Sequence, residues 1–288
     1  MSQKSLLDNI KKLREITGVG FKDCKIALEK TKGNLEESVE FLRKKGIAKA
    51  SKKMSRTAAE GLVLAKEDNG KISIIEINSE TDFVAKNQDF ILFCKELSEI
   101  NFLTKANLEK LNDTKMANGQ LVKDNLVNLI SKIGEKITVR RSKFFDTDKG
   151  KNFFYVHSGI EKKIGKIISV VKLDGIIKGK NEDIGPKVAM HIAALNPLAI
   201  DKDNIEKNIV QKELEIIKAE ILNSGKPKDM VDKISQGKLT KFLNENSLLN
   251  QIWIMDPKKN VSDILNENSL DQKIKVLDFV RFKVGEGI

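Results

Sequence analysis

Residues 61–87 read GLVLAKEDNGKISIIEINSETDFVAKN and contain two predicted strands, the turn that joins them and the corner after the second strand. Asp68, Asn69 and Gly70 separate two apolar runs, and an Asn-Gly pair in that position is a strong signal of a β-hairpin. Isoleucine stands at positions 72, 74, 75 and 77, so both faces of the second strand are apolar. The stretch therefore predicts an antiparallel hairpin whose second strand is largely buried on both faces.

The residues before this hairpin have a helical rather than a strand pattern. Apolar residues recur every three or four positions through the first 50 residues, which indicates three short helices. Glycine-containing breaks at 17–20 and 32–33 separate them, because glycine adopts backbone angles that other residues resist. Asn34 is placed to cap the third helix and Gly46 is expected to end it. We predict a three-helix domain over residues 1–53, with the basic stretch 44–56 as its connection to the rest.

The residues after the hairpin predict an α+β body in two parts. Helices over 87–100 and 121–133 and a strand near 136–141 complete a first subdomain over residues 54–145. Strands over 152–156 and 166–173, a helix over 184–195 and a final strand over 275–284 belong to a second subdomain, residues 146–288. This alternation of elements indicates the α+β class.

Within the second subdomain, the apolar spacing changes to that of long helices. Val210, Leu214, Ile217 and Ile221 are spaced as the seam of a heptad repeat. Residues 223–227 read NSGKP, a tight-turn signal, and a second helical pattern follows. The sequence predicts an antiparallel helical hairpin at about 204–246 that protrudes from the body.

Composition limits the compartment and the class of protein. Cys24 and Cys94 are far apart and form no CxxC pair, which fits a reducing compartment. The N-terminus lacks the apolar stretch of a secretory signal, and no apolar run is long enough to span a membrane, so we expect a cytoplasmic protein. The net charge of +11 leaves an RNA-binding or ribosome-binding protein open as an alternative.

Motifs for catalysis, metal binding and nucleotide binding are incomplete. Residues 159–166 (GIEKKIGK) resemble a phosphate loop but have five residues between the glycines, and Ile167 replaces the Ser or Thr that would hold magnesium. His157 and His191 stand in no metal-ligand spacing. No serine lies in a GxSxG motif. We therefore expect a binding protein that is not an enzyme and that has no metal or cofactor of its own.

The corner after the second strand is chemically unusual and has two interpretations. Residues 76–87 (EINSETDFVAKN) leave the buried strand and enter a helix that Thr81 or Asp82 is placed to cap. In one interpretation, Phe83 packs in the core. In the other, Asp82 and Phe83 present a charge and an apolar wedge side by side. The residue chemistry by itself favours the packed interpretation.

The same twelve residues resemble the most characteristic motif of the elongation factor Ts family. Residues 13–28 (LREITGVGFKDCKIAL) resemble the second motif of that family. Weaker similarity continues through four further segments, which are residues 132–141, 188–197, 224–228 and 279–288. The resemblance therefore extends over essentially the whole chain.

This resemblance implies a fold and a function. The family has a small N-terminal domain of three helices that is ubiquitin-associated-like, two α+β subdomains and a protruding helical hairpin. Its members bind elongation factor Tu with GDP and promote GDP release, after which GTP rebinds. By resemblance, Asp82 and Phe83 insert beside the magnesium site of the partner, displace the ion and disturb its phosphate-binding loop, while Thr81 and Val84 shape the corner.

The resemblance also implies further contact residues. Arg14, Phe21 and Lys25 correspond to contacts with the nucleotide-binding domain of the partner. Ile133, Gly134 and His157 match other contact positions of the family. The hairpin and the second subdomain are expected to bind other domains of the partner or to support self-association, as a homodimer or a 2:2 complex.

Two other classes of function are alternatives to the exchange factor. An RNA-binding or ribosome-binding protein would lose RNA affinity steeply with salt. A ubiquitin-like adaptor would act through residues 1–50 alone and would leave Asp82 and Phe83 without a role. The exchange-factor hypothesis accounts for both motifs and predicts a protein partner, with no direct binding to nucleic acid or membrane.

Overall fold

The computed structural model of the protein describes residues 3–17, 19–224 and 228–288, with side chains described for residues 6–17, 19–224 and 231–288. The predicted break at 17–20 and the predicted turn at 223–227 therefore lie partly outside the described residues. The helices and strands of the described part are, in chain order, α1 (Gln3–Thr17), α2 (Phe21–Lys30), α3 (Leu35–Lys53), β1 (Glu60–Asp68), β2 (Lys71–Ser79), α4 (Asp82–Ala85), α5 (Gln88–Leu103), α6 (Leu108–Asn112), α7 (Val122–Ile133), β3 (Ile137–Phe145), β4 (Lys151–His157), β5 (Ile164–Gly165), β6 (Ile167–Asp174), α8 (Ile184–Leu195), α9 (Lys207–Asn223), α10 (Lys228–Asn246), α11 (Val261–Glu267) and β7 (Lys275–Lys283). The mixture of helices and antiparallel sheets confirms the predicted α+β class.

The three N-terminal helices pack around a small apolar core of their own. This core contains Ile10, Leu13, Cys24, Ala27 and Leu28. Such a short segment buries little apolar surface by itself, which makes additional contacts with the body of the protein important for its stability. The helical character of the N-terminal region agrees with the spacing of its apolar residues.

The third helix is longer than the sequence predicts. The Asn34 side chain caps it as expected, accepting a hydrogen bond from the Glu37 N–H at 3.2 Å. The prediction that Gly46 ends the helix is wrong, because α3 continues to Lys53. Gly46 faces α7, where a Cβ atom would lie 3.6 Å from the Cβ of Ser131. Packing against α7 and burial of Ala50 outweigh the cost of glycine in a helix, which is about 1 kcal/mol.

The first sheet has four strands in the order β3-β2-β1-β5, all antiparallel. The β1–β2 hairpin turns at Asn69 and Gly70, whose φ angles are 48° and 76°, as an Asn-Gly turn requires. The short strand β5 pairs with β1 although it follows residue 145, in the segment predicted as the second subdomain. The predicted domain boundaries after residues 53 and 145 stay predictions.

The second sheet has three antiparallel strands in the order β4-β6-β7 and is covered by α8. Its core includes His191, which is fully buried, stacks on the Trp253 ring at 5.0 Å and contacts the Gln251 amide oxygen at 3.1 Å. Burial lowers the pKa of His191 to about 4, despite the opposing hydrogen bond to Gln251. The imidazole is therefore neutral at physiological pH and acts as a core residue.

The two faces of β2 pack on different layers, which explains why isoleucines lie on both faces of the strand. Ile75 and Ile77 face the helices α5 and α7, in the largest core. Ile72 and Ile74 face the second sheet, where they pack with residues of β6 and β7. Because side chains alternate along a strand, one run of isoleucines supplies both layers. The predicted burial of β2 on both faces is confirmed.

A buried ionic cluster lies where β2, β3 and the C-terminal segment meet. Glu76 is fully buried and accepts hydrogen bonds from Arg140 Nη1 at 3.0 Å, Arg141 Nε at 2.6 Å and the Gly285 N–H at 2.9 Å. Burial opposes ionisation of Glu76, but the hydrogen bonds from Gly285, Arg141 and Asn78 prevail and its pKa lies below the ordinary value. The cluster ties the end of β7 to the first sheet.

The helices α9 and α10 pack against each other around a separate apolar cluster. The predicted seam of Val210, Leu214, Ile217 and Ile221 lies in this cluster, which confirms the helical pairing deduced from the heptad spacing. Among the residues that the structure describes, no helix is both long enough and apolar enough to cross a membrane.

Candidate functional site: an exposed corner after the second strand

The site is the turn between β2 and α5, where the four-residue helix α4 presents one apolar side chain to solvent. Val84 and Ala85 are buried in the main core and hold α4 on the body. Phe83 points away and is 78% exposed, a larger fraction than for any other large apolar side chain in the described part of the chain. The interpretation that packs Phe83 in the core is therefore wrong. One turn of helix cannot bury all its side chains on one flat core, and Phe83 falls on its outer side.

Thr81 is held by a residue from a distant loop. It occupies the N-cap position of α4, but its side chain makes no capping hydrogen bond, so the predicted capping role is wrong. Instead, the Thr81 hydroxyl donates to Glu135 Oε1 at 2.8 Å, and the Thr81 N–H donates to Glu135 Oε2 at 3.0 Å. The next helix, α5, is capped by Asn87, whose side chain accepts from the Asp89 N–H at 2.9 Å.

Glu80 makes the reciprocal connection to the same loop. Its carboxylate accepts a hydrogen bond from the Lys136 N–H at 2.6 Å and lies 3.2 Å from Arg56 Nη1. Burial opposes ionisation of Glu80, but the bonds from Lys136 and Arg56 prevail, so its pKa lies below the ordinary value. Two adjacent residues of the corner are therefore bonded to two adjacent residues of the α7–β3 loop.

Asp82 presents an ionised carboxylate beside the exposed ring. Lys86, one helical turn further on, lies 2.7 Å from Asp82 Oδ2. This hydrogen bond lowers the pKa of Asp82, and the charges of Lys86 and Lys166 lower it further. The carboxyl group is therefore negative at neutral pH, and its oxygens are the hard ligands that Mg²⁺ prefers. The corner combines this charge with an apolar ring on a fixed scaffold.

Comparison with known proteins shows the family of this chain. The family model described as Elongation factor TS matches residues 80–286, starting at Glu80. The elongation factor Ts of Rickettsia felis is 38% identical over 283 residues, which cover 97% of this chain and 91% of that protein. The elongation factor Ts of Clostridium botulinum strain Eklund 17B is 40% identical over 285 residues, covering 97% and 93%. The chain belongs to the elongation factor Ts family. It is therefore a member of a family of translation factors.

Two of the other contact positions that the resemblance to elongation factor Ts implies, Ile133 and Gly134, lie beside the corner. Ile133 is the last residue of α7, and Gly134 ends that helix with a φ of 88°. They immediately precede Glu135, so the Glu135–Thr81 bonds bring them next to α4. The Gly134 carbonyl also accepts a hydrogen bond from Lys53 at the end of α3. The structure thus joins the α7–β3 loop, the end of α3 and the corner.

His157, another position implied by elongation factor Ts, lies at the exposed end of β4. It pairs with Ile167 across the second sheet, and its Nδ1 lies 3.4 Å from the Tyr155 hydroxyl. Lys166, adjacent to Ile167, is one of the two lysines whose charges lower the pKa of Asp82. No hydrogen bond or ion pair joins His157 to the corner within the described residues, so the two are separate parts of the surface.

The N-terminal positions implied by elongation factor Ts are exposed on α1 and α2. Phe21 is the first residue of α2 and is 47% exposed. Lys25 follows one turn later on the same face and pairs with Glu29 at 3.7 Å. Arg14 is exposed on α1 and lies close enough to Cys24 for its charge to act on that thiol. These residues lie on the N-terminal helices and not on the Asp82–Phe83 corner.

Sequence reasoning identified the corner but missed the residues that hold it. Glu135 and Glu80 carry no local signal, because their partners lie 54 and 56 positions away in the chain. The one local indication is Gly134, since a glycine between a helical and a strand pattern predicts a sharp turn that can redirect the next side chain.

Proposed function

We propose that this protein is the guanine nucleotide exchange factor of elongation factor Tu. It binds the GDP form of that GTPase, promotes release of GDP by dislocating the bound magnesium and disturbing the phosphate-binding loop, and allows GTP to rebind. The observation that carries the proposal is the exposed Phe83 next to the ionised Asp82 on a helix whose other residues are buried.

An exposed phenylalanine fits a wedge that is completed by a partner. Its burial in an apolar pocket of a second protein contributes about 2 kcal/mol to the free energy of binding. The free protein lacks this contribution, because the ring is in contact with water. Val84 and Ala85 anchor α4, so the ring enters with little loss of conformational freedom. Without a partner, the Phe83 ring leaves apolar surface exposed to water.

The carboxylate of Asp82 supplies the second half of the mechanism. In GTPases of this class, GDP is held by amide groups of the phosphate loop and by a magnesium ion. A negative carboxylate brought beside that ion competes for it and repels the phosphate oxygens. A thousandfold faster release corresponds to about 4 kcal/mol removed from the barrier. By linkage, the factor by which the protein weakens nucleotide affinity is also the factor by which nucleotide weakens the affinity for the protein, so GTP rebinding ejects it.

The remaining contacts extend this interface. We infer that the three N-terminal helices, with Arg14, Phe21 and Lys25, bind the nucleotide-binding domain of the partner in the manner of a ubiquitin-associated-like domain. Ile133 and Gly134 add contacts near the wedge, and His157 adds a contact at the end of β4. The helical hairpin reaches other domains of the partner or a second copy of the chain, as a homodimer or 2:2 complex.

The proposal requires no covalent chemistry, cofactor or nucleic acid, and it assigns the protein to the cytoplasm, where translation takes place. Three lysines of α3 are paired with acidic residues of the same protein, although the net charge of +11 left RNA binding open. Lys45 and Lys49 both pair with Asp23, at 2.9 and 2.7 Å, and Lys44 pairs with Glu40 at 2.7 Å. These pairs weaken the argument for a phosphate-binding surface on α3.

Release of fluorescent GDP from purified elongation factor Tu, followed by stopped flow, tests the proposal. The wild-type protein is expected to accelerate release strongly, and Asp82→Ala with Phe83→Ala is expected to lose most of that effect. A matched control is Asp113→Ala with Leu103→Ala, because Asp113 is exposed and paired with Lys123 at 2.7 Å, as Asp82 is with Lys86.

The possible results separate function from mechanism. Absence of any acceleration by the wild type would refute the exchange function, and RNA binding would be tested next. Full activity of the double variant at the corner would support the exchange function but refute the role of the corner. The N-terminal helices or the second subdomain would then be the source of the activity. Equal losses in the corner and control variants would refute the special role of the corner.

A further inference from the structure

The strongest unassigned feature near the corner is the pair of bonds between Glu135 and Thr81. Both oxygens of one carboxylate are used on one residue, with the hydroxyl at 2.8 Å and the N–H at 3.0 Å. Hydrogen bonds to an ionised acceptor are stronger than neutral ones, and two of them fix orientation as well as distance. Glu135 therefore fixes the hydroxyl and N–H of Thr81, while the Ser79 hydroxyl donates to the Thr81 carbonyl oxygen at 3.0 Å.

The helix that this contact supports is too short to hold its own direction. α4 has four residues, and an isolated helix of that length is unstable in water. Burial of Val84 and Ala85 fixes its inner side, while the Thr81–Glu135 bonds fix its N-terminal end. Without the bonds to Glu135, the first turn of α4 can unwind at Thr81. The side chains of Asp82 and Phe83 then adopt several orientations.

The loop that carries Glu135 is itself rigidly placed. The left-handed Gly134 ends α7 sharply, and the Lys136 N–H donates to Glu80 at 2.6 Å. Lys136 Nζ donates to the carbonyl oxygens of Met54 and Arg56, both at 2.8 Å. The carboxylate of Glu135 thus projects from a fixed loop, while β2 and β3 are held together independently by their own ladder.

We propose that Glu135 is a positioning residue for the exchange corner, which acts by holding Thr81 and thereby aiming Asp82 and Phe83 at the partner. The inference rests on the proposed exchange function for its kinetic consequence. Its structural consequence, the order of residues 81–85 in the free protein, can be measured without the partner.

The test uses the full-length chain with Glu135→Gln, in which one amide oxygen replaces two carboxylate oxygens and the charge is lost. The maximal rate of GDP release at saturating exchange factor is expected to fall about tenfold, as the loss of a charge-assisted hydrogen bond implies. The concentration for half-maximal effect is expected to change little, because the N-terminal contacts are intact. Glu267→Gln, which loses an exposed contact with Lys259 at 2.6 Å, is the matched control.

Two variants of Thr81 test whether Glu135 acts through that residue. Thr81→Ser retains the hydroxyl and is expected to keep more of the maximal rate than Thr81→Val. Thr81→Val keeps the shape but removes the hydroxyl, and is expected to lose part of the maximal rate. Because the two residues act together, Glu135→Gln is expected to cost less in the Thr81→Val background than in the wild type.

Amide hydrogen exchange in the free protein is the readout that does not depend on the partner. Faster exchange at residues 81–85 in Glu135→Gln, with the sheet amides unchanged, supports the positioning role. Unchanged exchange there refutes the role, whether or not the wild type accelerates GDP release. If Glu135→Gln accelerates GDP release as fast as the wild-type protein does, the positioning role is also refuted. If the wild-type protein itself does not accelerate release, only the proposed function is refuted.

Discussion

Replacement of Phe83 by alanine removes the exposed ring of the corner without touching a core residue. Phe83 is 78% exposed in the free protein, so the ring contributes little to folding. Surface substitutions of this kind change the free energy of unfolding by about 0.5 kcal/mol or less. We therefore expect the Phe83→Ala variant to unfold at nearly the wild-type temperature and to retain its secondary structure.

The kinetic effect is expected to be much larger than the effect on folding. Complete burial of a phenylalanine side chain contributes up to about 3 kcal/mol. Since most of the Phe83 ring is exposed in the free state, roughly 2 kcal/mol of this is available on insertion into the partner. Loss of that amount corresponds to about a thirtyfold decrease in the second-order rate constant of stimulated GDP release.

Stopped-flow release of fluorescent GDP measures the rate constant, and thermal or denaturant unfolding measures stability. Leu103→Ala is the matched control, because Leu103 is 77% exposed at the opposite end of α5, roughly 22 Å along that helix from its first residue. The two variants lose similar exposed apolar surface. If they stimulate release equally, or if Phe83→Ala proves strongly destabilised, the wedge argument is wrong.

Two further predictions concern the folded state. Glu76→Gln is expected to lower the free energy of unfolding by about 3 kcal/mol in denaturant titrations, because it leaves the Arg140 and Arg141 guanidinium groups beside an uncharged amide; a change below about 1 kcal/mol would show that water compensates the loss. His191 has a folded-state pKa of about 4, below its ordinary value of 6.5, so its contribution to stability is complete above pH 6.5 and is lost as the pH falls toward 4, by up to about 3 kcal/mol. Replacement of His191 by Gln is expected to flatten the stability profile in that pH window, and an unchanged slope would contradict the assignment.

The sequence was informative wherever a local pattern reports burial. The spacing of Val210 and Ile217 predicted a helical pair that the structure contains, and the helix over 184–195 was predicted with the bounds that the structure has. The run of isoleucines in β2 predicted burial on both faces, though not which layer each face contacts. These predictions succeed because each depends on the periodicity of one segment.

Predictions failed where the outcome depended on a distant segment. Gly46 has an unfavourable helix propensity, yet α3 continues because α7 packs against that glycine. Thr81 has the chemistry of a helix cap, yet its hydroxyl is bonded to Glu135. In both cases a contact with a residue far along the chain outweighs a local preference of about 1 kcal/mol.

The candidate site shows the same division. The resemblance of residues 76–87 to elongation factor Ts identified Asp82 and Phe83, but the residue chemistry by itself favoured a buried ring. Only the fold shows that Val84 and Ala85 occupy the inner side of α4 and leave Phe83 in solvent.

The amino-acid sequence by itself determined the α+β class, the main helices and strands, and the resemblance to elongation factor Ts, because propensity, periodicity and motif are properties of neighbouring residues. The tertiary structure decided which side of α4 is exposed, which loop holds Thr81, and how β5 and the C-terminal segment join the two sheets. Those outcomes depend on residues such as Glu135 and Gly285, which lie far from their partners in the chain. Burial and hydrogen-bond pairing are settled by the whole fold, so no single segment contains the information for them.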